Sequence, residues 1–415
     1  MAKGLVLSVG MSVESEVHAI KTIEPDWVAF VCTPGSLQKL DMIVEGTGLQ
    51  LSQFKTFEVA DDPSQVGDLV SQAHVAYRWV REKVGEEGEI IVNPTAGRKW
   101  MSTGMTLFAG QTAAKIVYVD VDFDGGKPVP DTMRIVDLGN PDDATGMMKS
   151  EEPVALFNRY DFEGAATAFG RIKPSRSAPL RLYRALATVS GLLAKWDRFE
   201  HYTNNQVSEK LREAADEVRQ AASELRMLAV DKWGEAMSAL AGQIDKVTQS
   251  EKPSLEAVAD LLANARRKMG ADRYDDAGAR LYRALEATAQ WMLTQKGINS
   301  ADVKWDSISD EAQRAFEDNR SGQARNDWPS KLGLTDSFAL AKALKCNGAD
   351  EFFEGNRFKL SKQIQVRNQS ILAHGWVPVR KETAESLSNA VAAALSRLKI
   401  EQNGWDVPKL PRLWQ

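Results

Sequence analysis

"EIIVNPTAGRKWMSTGMTLFAG" (residues 89–110) holds a buried strand, a turn and the start of an amphipathic helix, in that order. The strand at 89–93 is short and apolar at its centre, the pattern of a strand covered on both faces. Pro94 and Gly97 punctuate the turn. From Lys99, apolar residues recur at helical spacing through position 113. The turn therefore sits directly before a helix, so its backbone N–H groups and the positive end of the helix face the same point in space. Arg98 and Lys99 add full positive charge there.

Outward from this unit the same alternation repeats. Apolar runs at 4–9, 27–32, 54–59 and 115–122 read as strands, and 132–139 as an edge hairpin strand after a Gly-Gly turn. Between them, 14–23 and 66–84 read as helices, the second led in by Asp62-Pro63. Continuous apolar strands alternating with helices predict a parallel sheet covered on both faces, a Rossmann-like domain. Ligands of such sheets bind beyond the carboxyl ends of the strands. Three loops there are rich in small polar residues: Gly10-Met11-Ser12, Thr33-Pro34-Gly35-Ser36, and Asn93-Pro94-Thr95-Ala96-Gly97-Arg98-Lys99. The first lacks the G-x-G-x-x-G fingerprint and the third lacks P-loop spacing, which argues against a dinucleotide oxidoreductase or an NTPase.

After "NPDDATG" (140–146) β-runs all but vanish and three- and four-residue apolar spacing takes over. Two stretches nearly repeat, "RLYRALATVSGLLAKW" (181–196) and "RLYRALEATAQWMLTQ" (280–295), and each follows an Arg-Tyr-Asp segment (159–161 and 273–275). The polar stretch 247–257 is expected to separate two helical regions, and 319–333 to be a second loop. The expected organisation is an α/β domain at 1–146, a helical linker domain at 147–255 and a helical domain at 256–415.

The chain has 415 residues and a net charge of −5, which excludes a broadly basic nucleic-acid coat but leaves room for a local basic site. Cys32 and Cys346 are the only cysteines and imply neither a disulfide framework nor a structural metal. The N-terminal apolar run is broken before a signal core is complete, and no run approaches the roughly 18 residues of a membrane span. A soluble, cytoplasmic protein is expected. His18, His74 and His201 read as surface or groove residues, most Trp as helical core, and Asp61, Asp62, Asp120 and Asp122 as turn or strand-end residues.

Near the C-terminus stands "RNQSILAHG" (367–375). An Arg-x(4–6)-His match is expected about once by chance in such a chain, so the pair alone decides nothing. On a continuous helix, Arg367 and His374 would lie about 20° apart around the axis, with Ile364, Ile371 and Leu372 toward a core. Gly375 and Pro378 would then end the helix just past His374. A helix C-terminus favours imidazolium, and the bland alternative is a capping histidine beside a solvated arginine.

"NPTAGRKWMSTGM" is similar to the Asn/Asp-x-Thr-Gly/Ala-Gly-x-Lys-x-Met motif of CARF domains, the Rossmann-like sensors of cyclic oligoadenylate in CRISPR defence, with Ala96 where Gly is common. "LSVGMSVES" resembles their first loop. Arg367, Asn368 and His374 match the Arg-x(4–6)-His signature of HEPN ribonucleases, and "RYDDAGARLYRALEATAQ" (273–290) resembles the first HEPN helix. The resemblance to CARF–HEPN proteins of type III CRISPR systems implies a metal-independent endoribonuclease. Such an enzyme cuts single-stranded RNA, leaves 2′,3′-cyclic phosphate ends and needs no cofactor. It implies a homodimer activated by cyclic tetra- or hexa-adenylate. That activator would lie against Gly10, Met11, Ser12, Thr33, Asn93, Thr95, Ala96, Gly97, Arg98 and Lys99, with Arg367, Asn368 and His374 catalytic. A sensor whose helical region binds a partner or RNA without cutting is the alternative, and a nucleotide-dependent metabolic enzyme a third.

Overall fold

Leu5 and Leu7 face one side of strand β1 (Lys3–Ser8) and Val6 the other, and none of the three is exposed. A strand buried on both faces belongs at the centre of a covered sheet, and β1 is there. The computed structural model describes residues 1–112, 114–203, 206–251, 253–320, 328–355, 357–373, 375–398, 400 and 405–414. The chain divides into two units, Met1–Lys149 with Lys173–Leu180, and Ser150–Ile172 with Arg181–Gln415.

In the first unit, β1 pairs in parallel with β2 (Trp27–Cys32) on one side and β4 (Glu89–Asn93) on the other. β3 (Phe54–Glu58) extends the sheet beyond β2, and β5 (Lys115–Asp120) beyond β4. A small hairpin of β6 (Phe123–Asp124) and β7 (Lys127–Pro128) then leads to β8 (Arg134–Asp137), which closes the far edge antiparallel to β5. The order is β3-β2-β1-β4-β5-β8, the parallel sheet with an edge hairpin strand that the sequence predicts.

Helices α1 (Glu14–Ile23) and α3 (Leu40–Thr47) pack on the Leu5 and Leu7 face. Helices α4 (Val66–Val84) and α5 (Lys99–Gly110) cover the Val6 face through Leu69, Ala73, Val80, Met101 and Met105. α2 (Pro34–Leu37) is a single turn begun by Thr33, and α3 has no counterpart among the helices expected from sequence. α6 (Pro141–Thr145) is capped by the Asn140 side chain, which accepts from Asp142 N at 2.9 Å.

The second unit is almost entirely helical. It contains α7 (Glu151–Asn158), α8 (Phe162–Arg171), α9 (Ser177–Asp197) from Arg181 onward, α10 (Gln206–Glu224) and α11 (Leu228–Gln249). Then follow α12 (Leu255–Gly270), α13 (Tyr274–Thr294), α14 (Asp310–Asn319) and α15 (Leu334–Ala343). A two-residue hairpin pairs β9 (Phe353–Glu354) with β10 (Arg357–Phe358), before α16 (Ser361–Asn368) and α17 (Lys381–Leu395).

The polar stretch 247–257 joins α11 to α12, and the two helical cores share α12. α11 ends at Gln249, and α12 begins at Leu255, where the Ser254 hydroxyl accepts from Ala257 N. One face of α12 (Ala257, Ala259, Ala263) joins the core of α7–α11, which Trp405, Val407, Leu410 and Leu413 also enter. Its other face (Val258, Leu261, Leu262, Ala265) joins the core of α13–α17. A helix buried on two sides needs few exposed positions, which explains why even Asp260 and Asn264 are fully buried.

Asp260 is satisfied by three donors: Trp196 Nε1 at 2.9 Å, His201 Nε2 at 3.0 Å and the Tyr202 hydroxyl at 3.1 Å. His201 is therefore a buried core residue and corrects the surface reading. His18 is half-buried and His74 exposed, with its ring edge-on to Phe108. Trp196, Trp233 and Trp405 are helical-unit core as expected, whereas Trp376 is 87% exposed. Asp260→Ala should orphan its buried donors, each worth about 1–3 kcal/mol. We expect a large loss in denaturant midpoint in urea unfolding, and a smaller one in Asp260→Asn, which keeps an acceptor oxygen.

Candidate functional site

The loops after β1 and β4 meet because their strands are neighbours in the sheet. Ser8 Oγ donates to Ala96 O at 2.5 Å. A Cβ on Gly10 would lie 2.9 Å from Gly97 N, and Gly97 itself sits at φ +92°. Both glycines are required: one for close approach, the other for a left-handed backbone. Glu16, on the first turn of α1, orders the first loop by accepting from Gly10 N at 2.8 Å and Ser15 Oγ at 2.5 Å. Burial pushes the Glu16 carboxyl up, and these hydrogen bonds oppose the shift without cancelling it. Sequence reasoning missed this residue; the only signal was an acidic side chain in the first turn after a glycine loop.

Several expected ligand residues are occupied in shaping the loops. Asn93 Oδ1 accepts from Thr95 N at 3.0 Å and Thr95 Oγ1 at 2.6 Å. Thr95 Oγ1 in turn accepts from Val119 N at 2.8 Å, tying the loop after β4 to β5. Thr33 forms a reciprocal cap with Ser36 and is buried. Arg98 pairs with Asp61 at 3.0 Å. What stands open is Met11, Ser12 and Lys99. Lys99 opens α5, has no ion pair among the described residues, and α5 carries no side-chain cap. An ammonium beside uncapped helix amides is the electrostatic arrangement that suits a phosphate.

In the second unit, Arg367 lies in the last turn of α16. Its guanidinium sits 4.1 Å from the centroid of the Tyr282 ring on α13, and Nη1 donates to Asn368 Oδ1 at 3.2 Å. Arg367 Nε is buried with no hydrogen-bond partner. Burial raises the Tyr282 hydroxyl pKa, with Glu286 adding to the rise and Arg367 opposing it.

The continuous helix expected through His374 does not form: α16 stops at Asn368 and the chain turns. Ser370 N bonds Arg367 O at 2.9 Å, and Val377 N returns to Gln369 O at 3.0 Å. Asn and Ser compete with helical backbone bonding, which accounts for the stop. Gly375 serves this return rather than a helix cap, since a Cβ there would lie 2.0 Å from Gln369 O. Ile364 reaches the core, but Ile371 and Leu372 are 59% and 49% exposed, against expectation. The structure brings Arg367 and Asn368 together, and His374 lies outside the described residues.

Residues 246–398 match the family model described as "Csm6 HEPN domain". The whole chain is similar in fold to Enterococcus italicus Csm6 bound to cyclic hexa-2′-fluoro-hexa-dAMP. The TM-score is 0.52 at 12% identity, over 97% of this chain and 96% of that one. Over residues 246–398 the chain is thus similar to the HEPN domain of Csm6, and over the rest the likeness is one of fold. No curated protein matches its sequence. The matched segment runs from the end of α11 through α17, so it includes Arg367, Asn368 and Tyr282. Among the described residues no cluster of three or more His, Cys, Asp or Glu is arranged to hold a metal ion, and no helix is long and apolar enough to cross a membrane.

The Glu16 carboxyl is raised in the fold relative to the unfolded chain, so its ionisation weakens the fold as pH rises through that raised value. Glu16→Gln should keep the Gly10 bond without that cost and be at least as stable as wild type at pH 8. Glu16→Ala should lose about 1–3 kcal/mol by orphaning a buried N–H. Thermal unfolding at pH 6 and pH 8 checks both.

Proposed function

We propose that this protein is a Csm6-type endoribonuclease that cuts single-stranded RNA without a metal when cyclic tetra- or hexa-adenylate occupies its first unit. The observation that carries the reading is Arg367. Its guanidinium is half-buried against Tyr282, fixed beside Asn368, and keeps a buried Nε without a partner. A planar cation held in this way is suited to a phosphate oxygen, and it lies within the segment matched as HEPN.

Cleavage needs a base for the 2′-hydroxyl proton, a cation for the phosphorane and an acid for the leaving 5′-oxygen. Arg367 is assigned the charge on the phosphorane. Asn368, hydrogen-bonded to Arg367, orients it. His374, the one histidine of the motif, is assigned proton transfer, for which imidazole is suited near neutral pH. Attack by the neighbouring 2′-hydroxyl leaves a 2′,3′-cyclic phosphate on one fragment and a 5′-hydroxyl on the other.

Exposed Ile371, Leu372, Trp376 and Val377 flank the motif, an apolar surface that fits burial against a second copy. We therefore place the active form as a symmetric homodimer in the cytoplasm. The assignment of domains is sensing at 1–146, linking at 147–255 and cleavage at 256–415. In the first, the activator phosphates lie against the Gly10–Ser12 and Thr95–Lys99 loops. Lys99 and the α5 amides make the direct contacts. Gly10, Thr33, Asn93, Thr95, Ala96 and Gly97 hold the loops that present them.

Purified protein should cleave single-stranded RNA in EDTA when cyclic tetra- or hexa-adenylate is added. His374→Ala and Arg367→Ala should each lower that rate by about 10²–10⁴-fold. Both variants should bind activator as wild type does by calorimetry. Activator binding without any cleavage would instead favour a sensor that recruits a partner, and loss of activity in EDTA would overturn the metal-free mechanism. Lys99→Ala should weaken activator binding at least tenfold without moving the unfolding temperature, and a calorimetric titration that matches wild type would exclude Lys99 from the contact.

A further inference from the structure

Within the second unit, a polar cavity of about 650 Å³ opens between the α7–α8 turn, the end of α9, the end of α12 and the start of α13. Six cationic side chains line it against four carboxylates. Two of the cations share Asp197: Arg267 Nε donates to its Oδ1 at 3.0 Å, and Lys268 Nζ bonds its Oδ2. Arg273 and Arg280 likewise share Asp276. Arg159, at the rim, is exposed and has no ion pair among the described residues.

Arg267 is the decisive group. It is 4% exposed and its guanidinium stacks 3.7 Å from the Trp196 ring centroid, yet neither terminal nitrogen has a hydrogen-bond partner. A buried guanidinium edge with unmet donors beside a polar cavity is a standing demand for an acceptor. Arg198 is matched by Glu163 and Glu200, but Arg267 and Lys268 share the single charge of Asp197 and Arg159 has no ion pair among the described residues, so the acceptor that suits this corner is an anion.

A second cavity, of about 460 Å³, adjoins it through Arg280, which lines both. Its walls are mostly apolar and include Phe199 and Tyr202, whose rings are stacked 5.9 Å apart. Phe199 (φ 63°), Tyr160 (φ 64°) and Asp272 (φ 57°) all hold left-handed backbone beside these two cavities. Such conformations cost energy and concentrate at ligand sites. The two Arg-Tyr-Asp segments that precede the near-repeat helices also converge here, through Arg159, Tyr160 and Asp161 from one and Arg273 from the other.

We propose that the paired cavities form a nucleotide site, with phosphate oxygens on Arg267, Lys268 and Arg159, and a base in the Phe199–Tyr202 cavity. Arg280 bridges the two halves. The site is separate from the Arg367 motif. Arg367 packs toward Gly278 and Tyr282, and Arg280 lies two residues from each, about 160° round the α13 axis. The inference does not depend on the ribonuclease reading.

The phosphate can belong to a free mononucleotide or to an RNA backbone, and both are titrated into the full chain by calorimetry. The probes are adenosine 5′-monophosphate, adenosine, inorganic phosphate and a 2′-O-methyl hexanucleotide that resists cleavage. Binding of the monophosphate but not of adenosine identifies a mononucleotide site, and binding of the hexanucleotide alone identifies a backbone site. All titrations use the Lys99→Ala, Arg367→Ala double variant, so that neither the activator loops nor the Arg367 motif contributes, and in that background Arg267→Gln and Arg159→Ala should each weaken binding at least tenfold. Arg159 is exposed, so its variant keeps the test decisive should Arg267→Gln fail to fold. No binding of monophosphate, phosphate or hexanucleotide in that background, or unchanged affinity on adding Arg159→Ala, would each overturn the site.

Discussion

Asp260 carries an ionisable carboxyl into a helix buried on two sides, and the second unit is arranged around keeping it satisfied. A buried carboxylate with unmet acceptors costs several kcal/mol, so the donors that reach it constrain their elements tightly. Trp196 comes from the end of α9, and His201 and Tyr202 from the turn that follows. One side chain thus sets where α9 ends against α12. Four residues further along α12, Asn264 Nδ2 donates to both the backbone oxygen and the carboxylate of Asp197. With Arg267 and Lys268, these contacts form a polar seam between two apolar cores.

That seam also explains why the two helical cores are not independent. α12 gives small alanines to one and branched residues to the other, so a shift of the helix disturbs both at once. The C-terminal segment adds a further tie. Trp405, Val407, Leu410 and Leu413 return to the first core after the chain has built the second. Trp233 Nε1 donates to Pro408 O at 3.1 Å, and Leu410 N to Asn158 Oδ1 at 2.8 Å.

In the first unit the loops divide their labour by burial. Asn93, Thr95, Thr33 and Glu16 spend their polar atoms on backbone and on one another, and so hold the loop shape. Lys99, Ser12 and Met11 remain open. A motif that reads as one string of ligand residues is in three dimensions a rigid frame with few free groups. The C-terminal motif shows the complementary case. Were Arg367 and His374 on one helix, each added residue of spacing would swing the histidine by about 100°. A chain that leaves the helix at Asn368 can absorb a variable gap without that penalty.

The strands of the parallel sheet, the helical takeover after residue 146 and the two motif-bearing segments were legible in the sequence, because each is written in local terms. Continuous apolar runs require cover on both faces, Pro and Gly mark turns, and a glycine pair allows close loop contact. The stop of α16 was partly legible in "RNQS" but lost to a heptad reading that counted spacing and ignored the competition of Asn and Ser for the backbone. Buried His201, the role of Glu16 and the unmet guanidinium of Arg267 were not legible at all. Each is polar or charged and looks like surface in its own helix. Only tertiary packing decides that a second helix covers it, and burial then converts a solvated side chain into one that must find a partner or a ligand.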